Sequence, residues 1–269
     1  TLYYLLLQWP IEEVAYENYP EQDNEIRSFN DSDRLLSEPL VPLSDDGQVP
    51  METVNEELNY FEIENNDLSL MLESKTGRFE VSSLKNISEE KGSKETFNIF
   101  GKTKDASSGR ENSYFANSGF YTRTQGYLNP EFTKITEQPG EENLRVFVLE
   151  GNSGGLNFSR KIEIEETGYS VKIEDTVSSS LSEDIAITPY VVIERDDSEV
   201  EEAGLMYTYL GPVFSSSKDT YEKYAFDDIR ESSYQNKSVG GWVALIQHYF
   251  LSAWIPDQNA EYLYQGRYG

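Results

Sequence analysis

The run from Gly240 to Pro256 constrains this chain most, because it has no Asp, Glu, Lys or Arg in a sequence that is 26% charged. It also holds two of the three Trp residues and the only His. Charged side chains are almost never fully buried unless they are paired, so a long stretch without them is typical of a protein interior. The run therefore predicts a segment of the core.

Two folds of this run are compatible with its residues. Six apolar residues follow helical spacing: Trp242, Leu245, Ile246, Tyr249, Phe250 and Ala253. Two buried strands give the same apolar density. Aromatic and β-branched residues favour sheets, so we expect two strands with a tight turn at Gln247-His248, and a helix is the alternative.

Most of the chain shows the period-two alternation of strands with one buried face. The clearest case runs through Leu156, Phe158, Ile162 and Ile164, and the pattern returns from Tyr169 to Val177. These two segments predict a hairpin, and a second hairpin is predicted between residues 58 and 72. Residues 101–140 are rich in Ser, Gly, Asn and Tyr, and predict long loops with short strands.

A third segment of this region, residues 185–193, contains Pro189. Proline has no backbone N–H to donate to a sheet, so it indicates an edge strand or a bulge.

Residues 1–10 and 11–56 differ in composition from the rest. The first nine residues are uncharged and end in Trp9. We expect residues 1–10 to be the end of a transmembrane helix, since a full span needs about 20 residues; a short buried strand or helix is the alternative. From residue 11 to 57, fourteen acidic residues stand against two arginines, a net charge of −12. This composition predicts a disordered acidic linker over residues 11–56.

Charge and residue counts exclude several functions. A formal charge of −27 repels phosphate backbones, so nucleic acid is not an expected partner. One His and no Cys rule out a zinc site or a Cys-His pair, and no cofactor or enzymatic activity is expected. The glycine-rich residues 151–155 predict a loop rather than a phosphate site, and Trp242 and Trp254 are expected in the core rather than in a sugar-stacking platform.

The run GGWVALIQHYFLSAWIP at residues 240–256, with the box YEKYAF at residues 221–226 before it, resembles the first periplasmic domain of the YidC membrane protein insertases of Gram-negative bacteria. The resemblance covers residues 55–269. It is weak over residues 101–140 and strong from Tyr221 to Pro256.

The resemblance implies an all-β fold, a large antiparallel two-sheet sandwich similar to the galactose mutarotase-like fold, with few short helices. This sandwich would occupy residues 57–269 and continue past Gly269. It would be a periplasmic accessory domain, held at the bacterial inner membrane by flanking transmembrane helices. It would assist insertion and folding of inner-membrane proteins, alone or with the Sec translocon. The alternative is a non-catalytic carbohydrate- or peptide-binding module.

The expected partners are translocon accessory subunits of the SecDF type and nascent membrane proteins. The residues assigned to a structural core and coupling segment, which would link the sandwich to the insertase core, are Gly241, Trp242, Tyr249, Phe250, Trp254 and Pro256. Truncation of Trp242 or Tyr249 is expected to cost about 3–5 kcal/mol, as for a buried aromatic residue.

Overall fold

The computed structural model describes residues 2–8, 60–89, 92–104, 111–179, 185–196, 209–247 and 249–268. The linker predicted at residues 11–56 and His248 lie outside these ranges, so the linker stays a prediction. Among the described residues, no helix is both long enough and apolar enough to cross a membrane.

The described residues form eighteen strands and one short helix, α1 (Phe226–Glu231). The strands are β1 (Leu2–Gln8), β2 (Tyr60–Glu64), β3 (Leu68–Glu73), β4 (Phe79–Ser88), β5 (Thr96–Lys104), β6 (Glu111–Thr122), β7 (Gly126–Leu128), β8 (Glu131–Gln138), β9 (Leu144–Ser153), β10 (Leu156–Glu165), β11 (Val171–Ser179), β12 (Ile187–Asp196), β13 (Leu210–Ser215), β14 (Glu222–Lys223), β15 (Tyr234–Val239), β16 (Trp242–Gln247), β17 (Phe250–Trp254) and β18 (Glu261–Tyr268). The predicted all-β class is confirmed.

These strands form three antiparallel sheets. The large sheet has ten strands in the order β15-β18-β1-β12-β6-β5-β4-β3-β2, with β7 paired to β6. The second sheet has the order β11-β10-β9-β8, and the third sheet has the order β14-β13-β16-β17. Both predicted hairpins are present, as β2–β3 and β10–β11.

The two small sheets cover the same face of the large sheet. Phe79 contacts Trp254 of the third sheet with ring centroids 6.5 Å apart, and Phe120 contacts Phe158 of the second sheet at 5.2 Å. Phe79 lies opposite Ala116, four residues from Phe120 on one strand, so Phe79 and Phe120 share a face. The molecule is therefore an antiparallel sandwich in which one layer is divided between two sheets, and its apolar core lies between the layers.

The structure corrects the loops predicted for residues 101–140. This region contains the twelve-residue strand β6, which lies inside the large sheet, as well as β7 and β8. Its Ser, Gly and Asn residues suit this position because β6 is covered closely on both faces. A Cβ atom at Gly119, for example, would lie 2.8 Å from the hydroxyl of Tyr190.

Pro189 does not mark an edge strand, because β12 lies between β1 and β6. The pairing of β12 with β1 ends at Tyr190, opposite Gln8, so Pro189 lies just beyond the end of β1. The ladder between β12 and β1 therefore does not need an N–H from Pro189.

Residues 2–8 form a strand in the structure, which differs from the helix end expected for residues 1–10. β1 is paired on both sides, with β12 and with β18. Pairing on both sides gives hydrogen-bond partners to the backbone N–H and C=O groups of this short uncharged segment. Residues 2–8 are therefore a strand in the structure, and the domain boundaries around them stay predictions.

Candidate functional site

The charge-free run folds as two strands, as predicted, and the helical alternative is excluded. β16 and β17 pair antiparallel, with Val243 opposite Trp254 and Gln247 opposite Phe250. Gln247 is thus part of a strand, and the connection lies one residue later than predicted.

The burial of this hairpin differs from the sequence prediction. Its deepest side chains are small or aliphatic, since Val243, Ala244 and Leu245 are at most 1% exposed. Trp242 and Phe250 are half-buried, whereas Tyr249 is 81% exposed. Tyr249 was predicted to be core and is not, because it lies in the connection between the strands, where its ring meets solvent.

Phe250 and Trp254 fasten β17 to the large sheet. Phe250 stacks on Phe97 with a centroid separation of 4.3 Å, and Trp254 Nε1 donates a hydrogen bond of 3.1 Å to the Val192 carbonyl oxygen. Between them, the Ser252 hydroxyl is hydrogen-bonded to the Tyr114 hydroxyl. Alternate residues of β17 therefore point into the core of the sandwich.

Trp242 and Trp254 do not form a platform. Trp254 lies opposite Val243 and shares its face of the third sheet, whereas the adjacent Trp242 points to the other face. There Trp242 contacts Tyr221 of the YEKYAF box, with ring centroids 6.2 Å apart. The two motifs that carry the resemblance are thus neighbours in the folded chain.

The start of the hairpin is tied to the segment that follows its end. Gly241 donates its N–H to Gln258 Oε1 at 3.1 Å, and Gln258 Nε2 donates to the Gly241 carbonyl at 3.0 Å. Gln258 Nε2 also donates to the Pro256 carbonyl at 2.7 Å. The Tyr264 hydroxyl donates to the Gly240 carbonyl at 2.6 Å. Sequence reasoning did not identify Gln258 or Tyr264, because neither belongs to the motif.

Gly241 is required by this arrangement. Its φ angle is 99°, and a Cβ atom there would lie 2.1 Å from the Ser215 carbonyl oxygen. A side chain cannot fit so close to the backbone of β13, so only glycine lets the backbone at residue 241 approach that strand.

Buried charges lie elsewhere in the sandwich, and no sequence pattern predicted them. Arg160 is fully buried and holds Asp175 with two hydrogen bonds, Nε to Oδ1 at 2.7 Å and Nη2 to Oδ2 at 2.8 Å. It also donates hydrogen bonds to the carbonyl oxygens of Gly77 and Ser118, at 3.2 and 3.3 Å. Arg160 therefore ties the second sheet to the large sheet, a structural role.

A second buried charged group lies on the large sheet. Arg78 forms an ion pair with Glu80, and its guanidinium lies 4.2 Å from the centre of the Phe115 ring. Burial raises the pKa of Glu194 to about 8, and the positive charge of Arg78 opposes this shift. Burial also lowers the pKa of Arg78.

The described residues offer no arrangement for metal chemistry. No three His, Cys, Asp or Glu side chains there come together in a way that could hold a metal ion. The loop predicted at residues 151–155 is shorter in the structure: residues 151–153 belong to β9, and only Gly154 and Gly155 form the turn to β10, with φ angles of 59° and 82°.

Comparison with known proteins agrees with the resemblance. Residues 61–269 match the family described as the YidC periplasmic domain. The chain is 28% identical over 231 residues to the membrane protein insertase YidC of Pseudoalteromonas translucida, which covers 83% of this chain and 41% of that protein. It is 26% identical over 194 residues to the YidC of Shewanella loihica, covering 71% of this chain and 36% of the relative.

A third relative, the membrane protein insertase YidC of Haemophilus influenzae, is 29% identical over 202 residues, covering 73% of this chain and 36% of that protein. The chain thus spans about two fifths of the length of these relatives. The family confirms the expected periplasmic location, and it is a non-catalytic family. The chain belongs to the YidC periplasmic domain family.

Proposed function

We propose that this chain is an accessory domain that assists the insertion and folding of inner-membrane proteins, alone or with the Sec translocon. Its partners in this role are nascent membrane proteins and SecDF-type accessory subunits. The support for the role is the family match together with relatives that are named membrane protein insertases.

We also propose that residues 241–256 couple the sandwich to the rest of the insertase. One observation carries this proposal: the hairpin is held at both ends and on one face. Gln258 and Tyr264 hold its first residues, while Phe250 and Trp254 hold β17 on the large sheet. A segment fastened in this way transmits a displacement to both sheets, because packed interiors deform little.

Two glutamines allow a matched test in cells. Gln258 Nε2 donates to the Gly241 carbonyl at 3.0 Å, and Gln125 Nε2 donates to the Gly154 carbonyl at 3.2 Å, far from the hairpin. Both bonds are exposed and end on a glycine, so Gln125→Ala controls for the loss of one such surface bond, while Gln258→Ala also removes the bonds of its side chain to the Gly241 N–H and the Pro256 carbonyl. The full-length insertase carrying Gln258→Ala or Gln125→Ala is expressed in insertase-depleted cells, and growth and membrane insertion of a substrate are measured.

The coupling proposal expects Gln258→Ala to slow insertion and Gln125→Ala to leave it unchanged at equal protein levels. If the two variants insert equally well, or if Gln125→Ala is the slower one, the hairpin does not couple the domain to the insertase.

A further inference from the structure

β17 is an edge strand without the usual protection against pairing. The third sheet ends at β17, which pairs only with β16 in the described part of the chain. Proteins shield exposed edges with charged side chains, Pro, bulges or very short strands. β17 has the sequence FLSAW, with no charge and no Pro, and its pairing with β16 shows no register shift.

The other sheet edges of the described residues are shielded. β2, β11 and β15 contain charged residues, β14 and β7 have only two and three residues, and β8 contains charges and a register shift. Within one molecule, β17 is therefore the exception among edge strands that are otherwise protected.

The face of β17 that points away from the core is exposed and apolar. Residues that alternate with Phe250 and Trp254 lie on this face. Tyr249, Leu251 and Ile255 are 81%, 58% and 70% exposed, and they follow each other at even spacing with Ala253 between Leu251 and Ile255. A strand added at this edge would place its own alternate side chains beside this row.

We propose that the free edge of β17 binds an extended, uncharged segment of another polypeptide as a further strand of the third sheet. Backbone hydrogen bonds would supply the binding energy, and the row Tyr249-Leu251-Ile255 would favour apolar side chains. The proposal rests on the proposed function only for the source of that segment, a nascent membrane protein.

Charge favours this occupant over a second copy of the chain. Two copies paired edge to edge would each bring a formal charge of −27, and like charges oppose association. An uncharged apolar segment meets no such repulsion at a strand that is itself uncharged.

The edge hydrogen bonds can be assigned to particular residues. Gln247 and Phe250 close the two-residue connection as a hydrogen-bonded pair, and hydrogen bonds then recur at every second residue. Phe250, Ser252 and Trp254 therefore bond to β16, while the N–H and C=O groups of Leu251 and Ala253 point to the free edge.

The test measures binding of a fluorescent ten-residue peptide of Val, Leu, Ile and Thr to the 269-residue chain by anisotropy. The same peptide with N-methyl groups at every second residue, methylated in both alternations, is the backbone control. The chain variants are Leu251→Pro, which removes an outward N–H, and Leu251→Lys, which adds charge at the edge. Val239→Lys, at another half-exposed apolar position, is the matched control.

The proposal expects both Leu251 variants and at least one methylated peptide to weaken binding by about five- to tenfold, the factor carried by a lost hydrogen bond. Val239→Lys should bind like the parent chain. No binding, or equal binding by the parent chain and both Leu251 variants, would overturn the proposal. Dimerisation that Leu251→Lys abolishes, without peptide binding, would assign the edge to a second copy. The coupling role has its separate test in cells, so a failure here would not be confused with a failure there.

Discussion

At the scale of single residues, the stability of the hairpin depends on its aliphatic side chains rather than on Tyr249. Leu245 is 1% exposed and Tyr249 is 81% exposed. Leu245→Ala is therefore expected to lower the free energy of unfolding by about 2–5 kcal/mol, and Tyr249→Ala to change it by less than about 0.5 kcal/mol. Urea denaturation measures both values, and a larger loss for Tyr249→Ala would restore the burial predicted from the sequence.

Alanine substitutions at Gly241 and Gly168 separate the cost of a steric clash from the cost of backbone strain. Their φ angles are 99° and 97°, but a Cβ atom at Gly241 meets the Ser215 carbonyl at 2.1 Å, whereas at Gly168 it meets nothing within 4 Å. Gly168→Ala should cost about 1–2 kcal/mol, the strain of a left-handed conformation. Gly241→Ala should cost clearly more. Equal losses in urea denaturation would show that the approach to β13 is not close.

Glu194 gives the sandwich a pH dependence of known sign. The folded state keeps the proton of Glu194 up to about pH 8, while in the unfolded state the carboxyl loses it near its ordinary pKa of 4.5. The folded state binds more protons between these values. The contribution of Glu194 to stability is therefore fully present below about pH 4.5 and is lost as pH rises through 8.

Glu194→Gln should therefore flatten the fall in stability between pH 5 and 8, with its largest gain near pH 8. Glu62→Gln, at an exposed position of β2, is the control. Chemical denaturation at several pH values measures the slopes, and an unchanged slope in Glu194→Gln would contradict a proton bound at this residue.

At the scale of elements, sequence alternation predicted the hairpins β2–β3 and β10–β11 because each has one buried face. It predicted only short strands where β6 lies, since a strand that is covered on both faces and mixes Ser, Gly and Asn with aromatic residues has no such alternation. β18 was also not predicted, although Tyr262, Tyr264 and Tyr268 lie at even spacing, because spacing does not show whether a segment has a partner strand. In the structure, that partner is supplied by β1 and β15.

The candidate site was predicted only in part, because the sequence shows which segment is apolar but not how that segment is oriented. The absence of charge located the hairpin, and the two strands are present as expected. Which face of each strand is buried depends on register and on the sheet that covers it, and sequence spacing does not report either. Tyr249 was therefore assigned to the core, and the anchoring residues Gln258 and Tyr264 were not found.

The buried Arg160, which ties the second sheet to the large sheet, is paired with Asp175 of its own sheet. Asp175→Ala would leave the fully buried Arg160 without its carboxylate, which should cost about 2–4 kcal/mol. Glu150→Ala, which breaks an exposed pair with Lys134 in the same sheet, should cost less than about 1 kcal/mol. Thermal and urea unfolding compare the two variants, and equal losses would mean that Arg160 does not join the sheets.

At the scale of the whole molecule, one strongly acidic chain forms a sandwich whose least charged segment is fastened on one side and open on the other. β16 is inside the third sheet, and β17 is at its edge. Both the coupling proposal and the polypeptide-binding proposal depend on this difference.

Residue-resolved hydrogen exchange of the 269-residue chain distinguishes the fastened side of the hairpin from its open edge. Amides of β16 and those of Phe250, Ser252 and Trp254 should be protected, because they bond within the sheet. Amides of Leu251 and Ala253 should exchange at least about tenfold faster, because they point to the free edge. Uniformly slow exchange along β17 would show a covered edge, and uniformly fast exchange across the hairpin would show that it is not anchored; either result would contradict the account.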